Sequence, residues 1–337
     1  MAGSSHLPPG QQLGTGDIEV DVDIFDGDSA YAESTHQDDT QTLASEATKF
    51  KWEHGRRYHA YGNGEYWGPN DEKQLDAEDM VHQMFLTILR GRLFQAPIPE
   101  DPHRVLDVGC GTGIWTIDFA DQYPSAEVIG VDLSPVQPQT IPPNCRFEID
   151  DINKDWTWGE NTFDFIHVRM LTGSIRDWDA FYQKCLKALR PGGWIEQVEL
   201  SSHTKSDDGT ITPDLPFKEW ADVFLKLGEM TGQTFQICEE AKGWIEKAGF
   251  ENVTENVIKL PIGPWAKDER LKEWGVWSRV YLSEALEGFA LRGLTNHLGW
   301  SYEKTQIFLT QMRHSLRDPK LHGWVPLSVV DAQKPMA

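Results

Sequence analysis

"RVLDVGCGTGIW", residues 104–115, sets three glycines into five positions directly behind a short apolar run. A glycine lets another backbone or a ligand come close, and it tolerates the positive φ that side chains resist. Between a strand and a helix, such a bend exposes backbone N–H groups at the helix N-terminus. What the bend at Gly109, Gly111 and Gly113 receives is the question the rest of the chain has to answer.

The flanking segments supply the required context. "RVLDV" reads as a buried strand and "TGIWTIDFADQYP" as a helix stopped near Pro124. "AEVIGVDL", "CRFEIDD" and "FDFIHVRM" read as the second, third and fourth strands. A helix over about 177–189 carries Trp178, Phe181, Tyr182, Cys185 and Leu189 on one face; the turn "RPGG" ends it, and "WIEQVEL" is a fifth strand. "CEEAKGWIEKAGF" predicts a helix ending at Gly249, "ENVTENVIKL" a sixth strand and "HGWVPLSVVDAQKP" a seventh. Upstream, "NDEKQLDAEDMVHQMFLTILRGRL" places Val81, Met84, Phe85, Ile88 and Leu89 on one helical stripe, with acids in the first turn. Strands alternating with helices imply a parallel sheet covered on both faces. About sixty residues, 264–322, separate the last two strands; they are mostly helical by pattern, with Ser301 as a cap, and read as an insertion. No internal repeat is evident.

Composition bounds the remaining possibilities. The chain has 337 residues and a net charge of −22, and residues 1–48 hold ten acids with no Lys or Arg. That segment is also poor in apolar residues, so it predicts a disordered acidic tail, with 49–335 as the folded domain. Direct binding to DNA phosphates needs clustered positive charge, which neither part offers. No run is apolar enough to span a membrane, and the start lacks the basic and apolar regions of a secretory signal. Cys110, Cys145, Cys185 and Cys238 form no CxxC pair and the histidines form no HExxH, which argues against a metal site and for a reducing, intracellular setting.

The ligand of the bend can be narrowed from the residues. A dinucleotide fold wants a third small residue for close helix–strand packing, but that position is Ile114, followed by Trp115. A phosphate loop would need Gly-Lys-Ser/Thr, which is absent. Asp132 ends the second strand nineteen residues beyond Gly113, where a carboxylate can accept both hydroxyls of a ribose. Asp151 and Ile152 lie just past the third strand, placed to meet an adenine amino group and ring nitrogen. Cys110 and Leu133 complete the two turns. An adenosine without pyrophosphate, its amino-acid portion over the glycines and its ammonium near Asp107, describes S-adenosylmethionine.

"LDVGCGTGIW", "VIGVDLSP", "FEIDDINKDW", "FDFIHVRM" and "LRPGGWIE" resemble the ordered motifs of class I S-adenosylmethionine-dependent methyltransferases. More narrowly, "GRRYHAYGNGEYWGPND", "DLSPVQPQTIPPNCRFEIDD" and "LPIGPW" resemble the fungal LaeA-like methyltransferases, including the VipC and VapB type. The resemblance covers about residues 50–335. It implies an α/β Rossmann-like fold with a seven-stranded sheet of order 3-2-1-4-5-7-6, only the seventh strand antiparallel, and a helical lid before the glycine bend. It also implies a role in regulating fungal development or secondary metabolism, a nuclear or cytoplasmic location, and a second methyltransferase-fold or regulatory subunit as partner. One departure is Ala77 in "DAEDMVH", where the family usually has arginine; Asp76, Asp79 and His82 remain.

Methyl transfer asks the protein chiefly for proximity, alignment and exclusion of water, because the cofactor is already activated. A base is needed only for an acceptor that arrives protonated. The candidate catalytic residues are His82 on the lid helix, His167 and Arg169 at the end of the fourth strand, and Glu199 at the end of the fifth, with Tyr66 near the entrance. No Asn-Pro-Pro-Tyr follows the fourth strand, where "HVRM" stands instead. The residues leave three readings open: a protein methyltransferase, a biosynthetic small-molecule methyltransferase, and a catalytically weak regulatory subunit.

Overall fold

The computed structural model describes residues 17–19, 50–60 and 66–336. The chain enters through a short antiparallel hairpin, β1 (Phe50–Glu53) and β2 (Arg56–His59), turned at His54 and Gly55, both at positive φ. Helix α1 (Glu72–Ile88) starts where Asp71 accepts the Gln74 N–H. The same carboxylate takes Arg56 Nε at 2.6 Å, tying hairpin to helix. All five stripe residues of α1 and its end are buried, as their spacing predicts.

The sheet follows: β3 (Arg104–Val108), β4 (Glu127–Asp132), β5 (Cys145–Ile149), β6 (Phe163–Arg169), β7 (Leu189–Leu200), β8 (Glu251–Pro261) and β9 (Trp324–Gln333). Their spatial order is β5-β4-β3-β6-β7-β9-β8. β9 alone runs antiparallel to its neighbours. Counted along the sheet strands, this is the topology and the order that the resemblance implies. The helices between them are α2 (Ile114–Gln122), α3 (Trp178–Ala188), α4 (Pro216–Thr231) and α5 (Ile237–Ala248), with α6 (Glu269–Arg292) and α7 (Tyr302–Arg317) in the insertion. A single π-helical turn, Gly293–His297, links the last two. Ser301 caps α7 by accepting the Lys304 N–H.

Two faces are filled differently. α3 and α5 bury Phe181, Tyr182 and Ile245 against the central strands. α1, α4, α6 and α7 instead share one cluster, containing Phe85, Phe224, Leu286 and Leu309, with the β8–β9 end of the sheet. The insertion is thus bound to the helix preceding the glycine bend, and both overhang the carboxyl edge of the strands. β3 has β4 on one side and β6 on the other, so the crevice expected of such sheets opens at its tip.

Three local features differ from the sequence reading. "RPGG" is no simple turn: it lies within β7, and the register jumps from Phe163↔Leu189 to Phe165↔Trp194, so the intervening residues bulge out. The hairpin and α4 are additional elements. Most of the segment 1–48 lies outside the described residues, but residues 17–19 depart from the expected disorder: they rest on the folded domain with Ile18 buried.

Candidate active site

At the tip of β3 the chain turns through Gly109 (φ +70°), Gly111 (φ +56°) and Gly113 (φ +80°), a conformation L side chains resist. Gly109 and Cys110 donate their N–H groups to the Val131 carbonyl at 2.8 and 3.0 Å, binding the bend to β4. The faces of Gly109 and Gly111 line a cavity; a Cβ on Gly109 would meet Leu171. Gly113 has a different task. It does not line the cavity, and a Cβ there would meet the Phe147 ring, so its smallness serves helix–sheet packing.

The other expected cofactor residues divide in the same way. Asp132, Leu133 and Ile152 line the cavity beside Cys110. Asp132 accepts the Gly111 and Ser134 N–H groups, each at 2.9 Å, one per oxygen. Asp107 is a correction: it is buried beneath the bend, one oxygen taking Thr116 Oγ1 at 2.6 Å and the other His167 Nδ1 at 2.8 Å. It is not among the cavity residues and anchors the floor. Asp151 is also displaced. Its carboxylate accepts the Asn153 N–H in a local turn, and Asp150 lines the cavity in its place.

Of the catalytic candidates, only Arg169 reaches the cavity. Its Nη1 donates to His82 Nδ1 at 3.1 Å, and His82 Nε2 pairs with Asp118 at 2.9 Å. Since Nδ1 accepts, Nε2 carries the proton: the imidazole is neutral, consistent with burial lowering its pKa. His82 therefore orients the guanidinium. His167 is buried, stacked on Trp115 at 3.7 Å with an interplanar angle of 3°. Burial lowers its pKa too. Trp115 lies inside the core, its Nε1 donating to the Leu93 carbonyl at 2.9 Å, and so leaves the bend clear. Glu199 is a core residue that accepts the Leu171 N–H at 2.9 Å, its pKa pushed up to about 7 by burial. It holds the loop after β6 and does not line the cavity.

The sequence reading missed Glu78. One turn before His82 on α1, it enters the cavity over Gly111, with Gln74 Nε2 at 3.5 Å as its side-chain partner. Seclusion from bulk water, then the nearby Asp132 carboxylate, push its pKa up to about 8. Seclusion likewise raises Asp132 to about 6, against the N–H groups that hold it down. Two carboxylates that resist ionisation beside an open glycine bend favour a cationic guest, which would lower both pKa values. Tyr66 also lines the cavity, its carbonyl accepting Arg292 Nη1 of α6 at 2.8 Å.

A second, apolar chamber adjoins the first. Trp67, Met170, Thr172, Tyr281 and Phe289 face both. Trp220, Phe224 and Phe235 close its far side, and none of its lining side chains is charged. Among the described residues no cluster of His, Cys, Asp or Glu could hold a metal, and no helix is long and apolar enough to cross a membrane.

Residues 80–255 match the family model described as a methyltransferase domain, which with the topology and the cleft makes this chain a methyltransferase. A methyltransferase named pytC from Aspergillus terreus is 38% identical, over 94% of this chain and 96% of that one. The secondary metabolism regulator LAE1 of Cochliobolus heterostrophus is 38% identical over 84% and 94%. A protein-methionine methyltransferase, laeA, of Emericella nidulans is 34% identical over 87% and 78%. The chain belongs to the LaeA-like family of S-adenosylmethionine-dependent methyltransferases. The cradle fits that cofactor: a bend left bare of side chains at Gly109 and Gly111, two apolar walls, and acidic groups that a sulfonium and an ammonium would satisfy.

Proposed function

We propose that this protein transfers a methyl group to an acceptor that enters through the apolar chamber, and that the acceptor is a neutral, soft nucleophile such as the thioether of a protein methionine. The contact of the two cavities through Met170, Tyr281 and Phe289 is the observation that carries this reading. The similarity to the protein-methionine methyltransferase of Emericella nidulans supports the acceptor class. Bound S-adenosylmethionine supplies a methyl group on a positively charged sulfur.

The residues of this chain do the rest. Gly109, Cys110 and Gly111 admit the amino-acid portion, with Glu78 and Asp132 countering its positive charges; Leu133 and Ile152 wall the adenosine, and Asp150 is its polar neighbour. The aromatic groups Trp67, Tyr281 and Phe289 exclude water and stabilise cationic charge through their faces. A thioether has no proton to lose, so the lack of a base in the chamber is no obstacle.

Glu78 favours a second reading. A carboxylate with a pKa near 8 beside the bend can accept a proton from a hydroxyl or amine acceptor, which suits a biosynthetic small molecule. Labelled S-adenosylmethionine, methionine-containing peptides and fungal extract separate the two. Glu78→Gln at saturating cofactor keeps kcat in the first case and loses it in the second; cofactor binding without transfer to anything overturns both and leaves a regulatory subunit. We further place the protein among regulators of fungal development or secondary metabolism, working in the cytoplasm or nucleus with a second methyltransferase-fold or regulatory subunit. The names of its relatives support that role.

A further inference from the structure

Three residues of the acidic segment occupy a slot at the roots of the helical insertion. Ile18 is buried in a cluster with Trp265, Ala266 and Trp324, edged by Leu271. Its N–H donates to Asp207 Oδ2 at 3.1 Å, and the Glu19 carbonyl accepts the Lys267 N–H at 2.7 Å. Lys267 Nζ lies 3.0 Å from Glu19 Oε2, and Lys259 Nζ lies 3.6 Å from Asp17 Oδ1. The walls are fixed by bonds of their own. Trp265 Nε1 donates to the Gly323 carbonyl at 3.0 Å, and Trp324 Nε1 to Asp207 Oδ1 at 3.2 Å. Lys259 also bonds Asp207 at 2.7 Å and sits 4.8 Å from the Trp324 ring centre.

The interactions divide the work of recognition. Exposed ion pairs contribute little stability but select charge. A branched aliphatic side chain between two indoles supplies the apolar burial. Main-chain bonds on both sides of that residue fix the direction of the peptide. We propose that the slot is a recognition site for an Asp-aliphatic-Glu peptide and that residues 17–19 of the same chain are its occupant. The position gives this consequence: Trp265 and Lys267 follow β8 and Trp324 opens β9, so the peptide clasps both ends of the insertion whose α6 lines the active-site cavity through Tyr281 and Phe289.

The test uses the full chain and a fluorescent peptide of residues 14–22, "GTGDIEVDV". Ile18→Asp in the full chain empties the slot and leaves the site residues untouched. Anisotropy should show saturable peptide binding to this variant and at least about tenfold weaker binding to the wild type, whose slot is filled. The Ile18→Asp peptide should not bind, and adding Lys267→Glu to the variant chain should weaken binding by about tenfold. Hydrogen exchange on the wild type should find the Lys267 amide protected, and that protection lost in Ile18→Asp. Equal peptide binding by the two chains, no binding by either, or an unprotected Lys267 amide would overturn the proposal. A wild type that is dimeric while Ile18→Asp is monomeric would overturn the cis arrangement in favour of a second copy.

Discussion

A Cβ atom on Gly111 would stand 2.5 Å from Oε2 of Glu78, so the glycine bend and the lid helix are closely fitted to each other. Gly111→Ala therefore meets two obstacles, a φ of +56° and the carboxylate. The left-handed backbone costs about 1 kcal/mol for alanine, and displacing Glu78 disturbs the cofactor cradle. Calorimetry should find at least about tenfold weaker S-adenosylmethionine binding, with thermal unfolding shifted only by the backbone term.

Binding of the cofactor should depend on pH in a defined direction. Glu78, with a pKa near 8, and Asp132, near 6, are increasingly protonated as pH falls, and only their ionised forms attract a cation. Affinity should rise from pH 5.5 to about 7.5, below the range where the cofactor's own α-amino group loses its proton, by up to about tenfold per pH unit where one carboxylate titrates, with protons released on binding. Glu78→Gln should remove the upper step and keep the lower. A flat profile in the wild type would contradict this electrostatic account.

Asp107 and Asp132 should separate stability from binding. Asp107→Asn leaves either Thr116 or His167 without an acceptor in the core, costing about 1–3 kcal/mol of stability with little change in cofactor affinity. Asp132→Ala should instead weaken S-adenosylmethionine binding by about 1–3 kcal/mol, roughly 5- to 150-fold. Chemical denaturation and calorimetry on the same two variants read both quantities.

Filling the apolar chamber should uncouple binding from transfer. Leu282 lines the chamber but not the cofactor cavity. Leu282→Trp is expected to leave the cofactor dissociation constant within about twofold while methyl transfer falls by at least about tenfold. Loss of cofactor binding in this variant would mean that the two cavities work as one.

The strand-and-glycine core could be read from the sequence because it is local: each buried strand is a short apolar run, and the bend needs residue types that nothing else requires. Side-chain direction could not. In "DAEDMVH" four polar positions share two helical turns, and only the packing of α1 on α6 selects Glu78 as the one over Gly111. Asp150 and Asp151 are consecutive, so a one-residue difference at the strand end decides which faces the cavity. Asp107, His167 and Glu199 have the composition of a site, yet the contacts that commit them to the core join residues 9, 60 and 28 positions apart. The chamber draws on Trp67 ahead of α1, the loop after β6, the end of β7, α4, Phe235 and α6, and no contiguous stretch encodes it.

β9 pairs with β7 on one side and β8 on the other, although both precede it in sequence. During synthesis, those two ribbons leave the ribosome before the strand that joins them. A nascent chain paused short of Trp324 therefore carries unpaired edges on β7 and β8, so chaperone engagement and proteolytic loss should concentrate in the interval between the synthesis of β8 and that of β9.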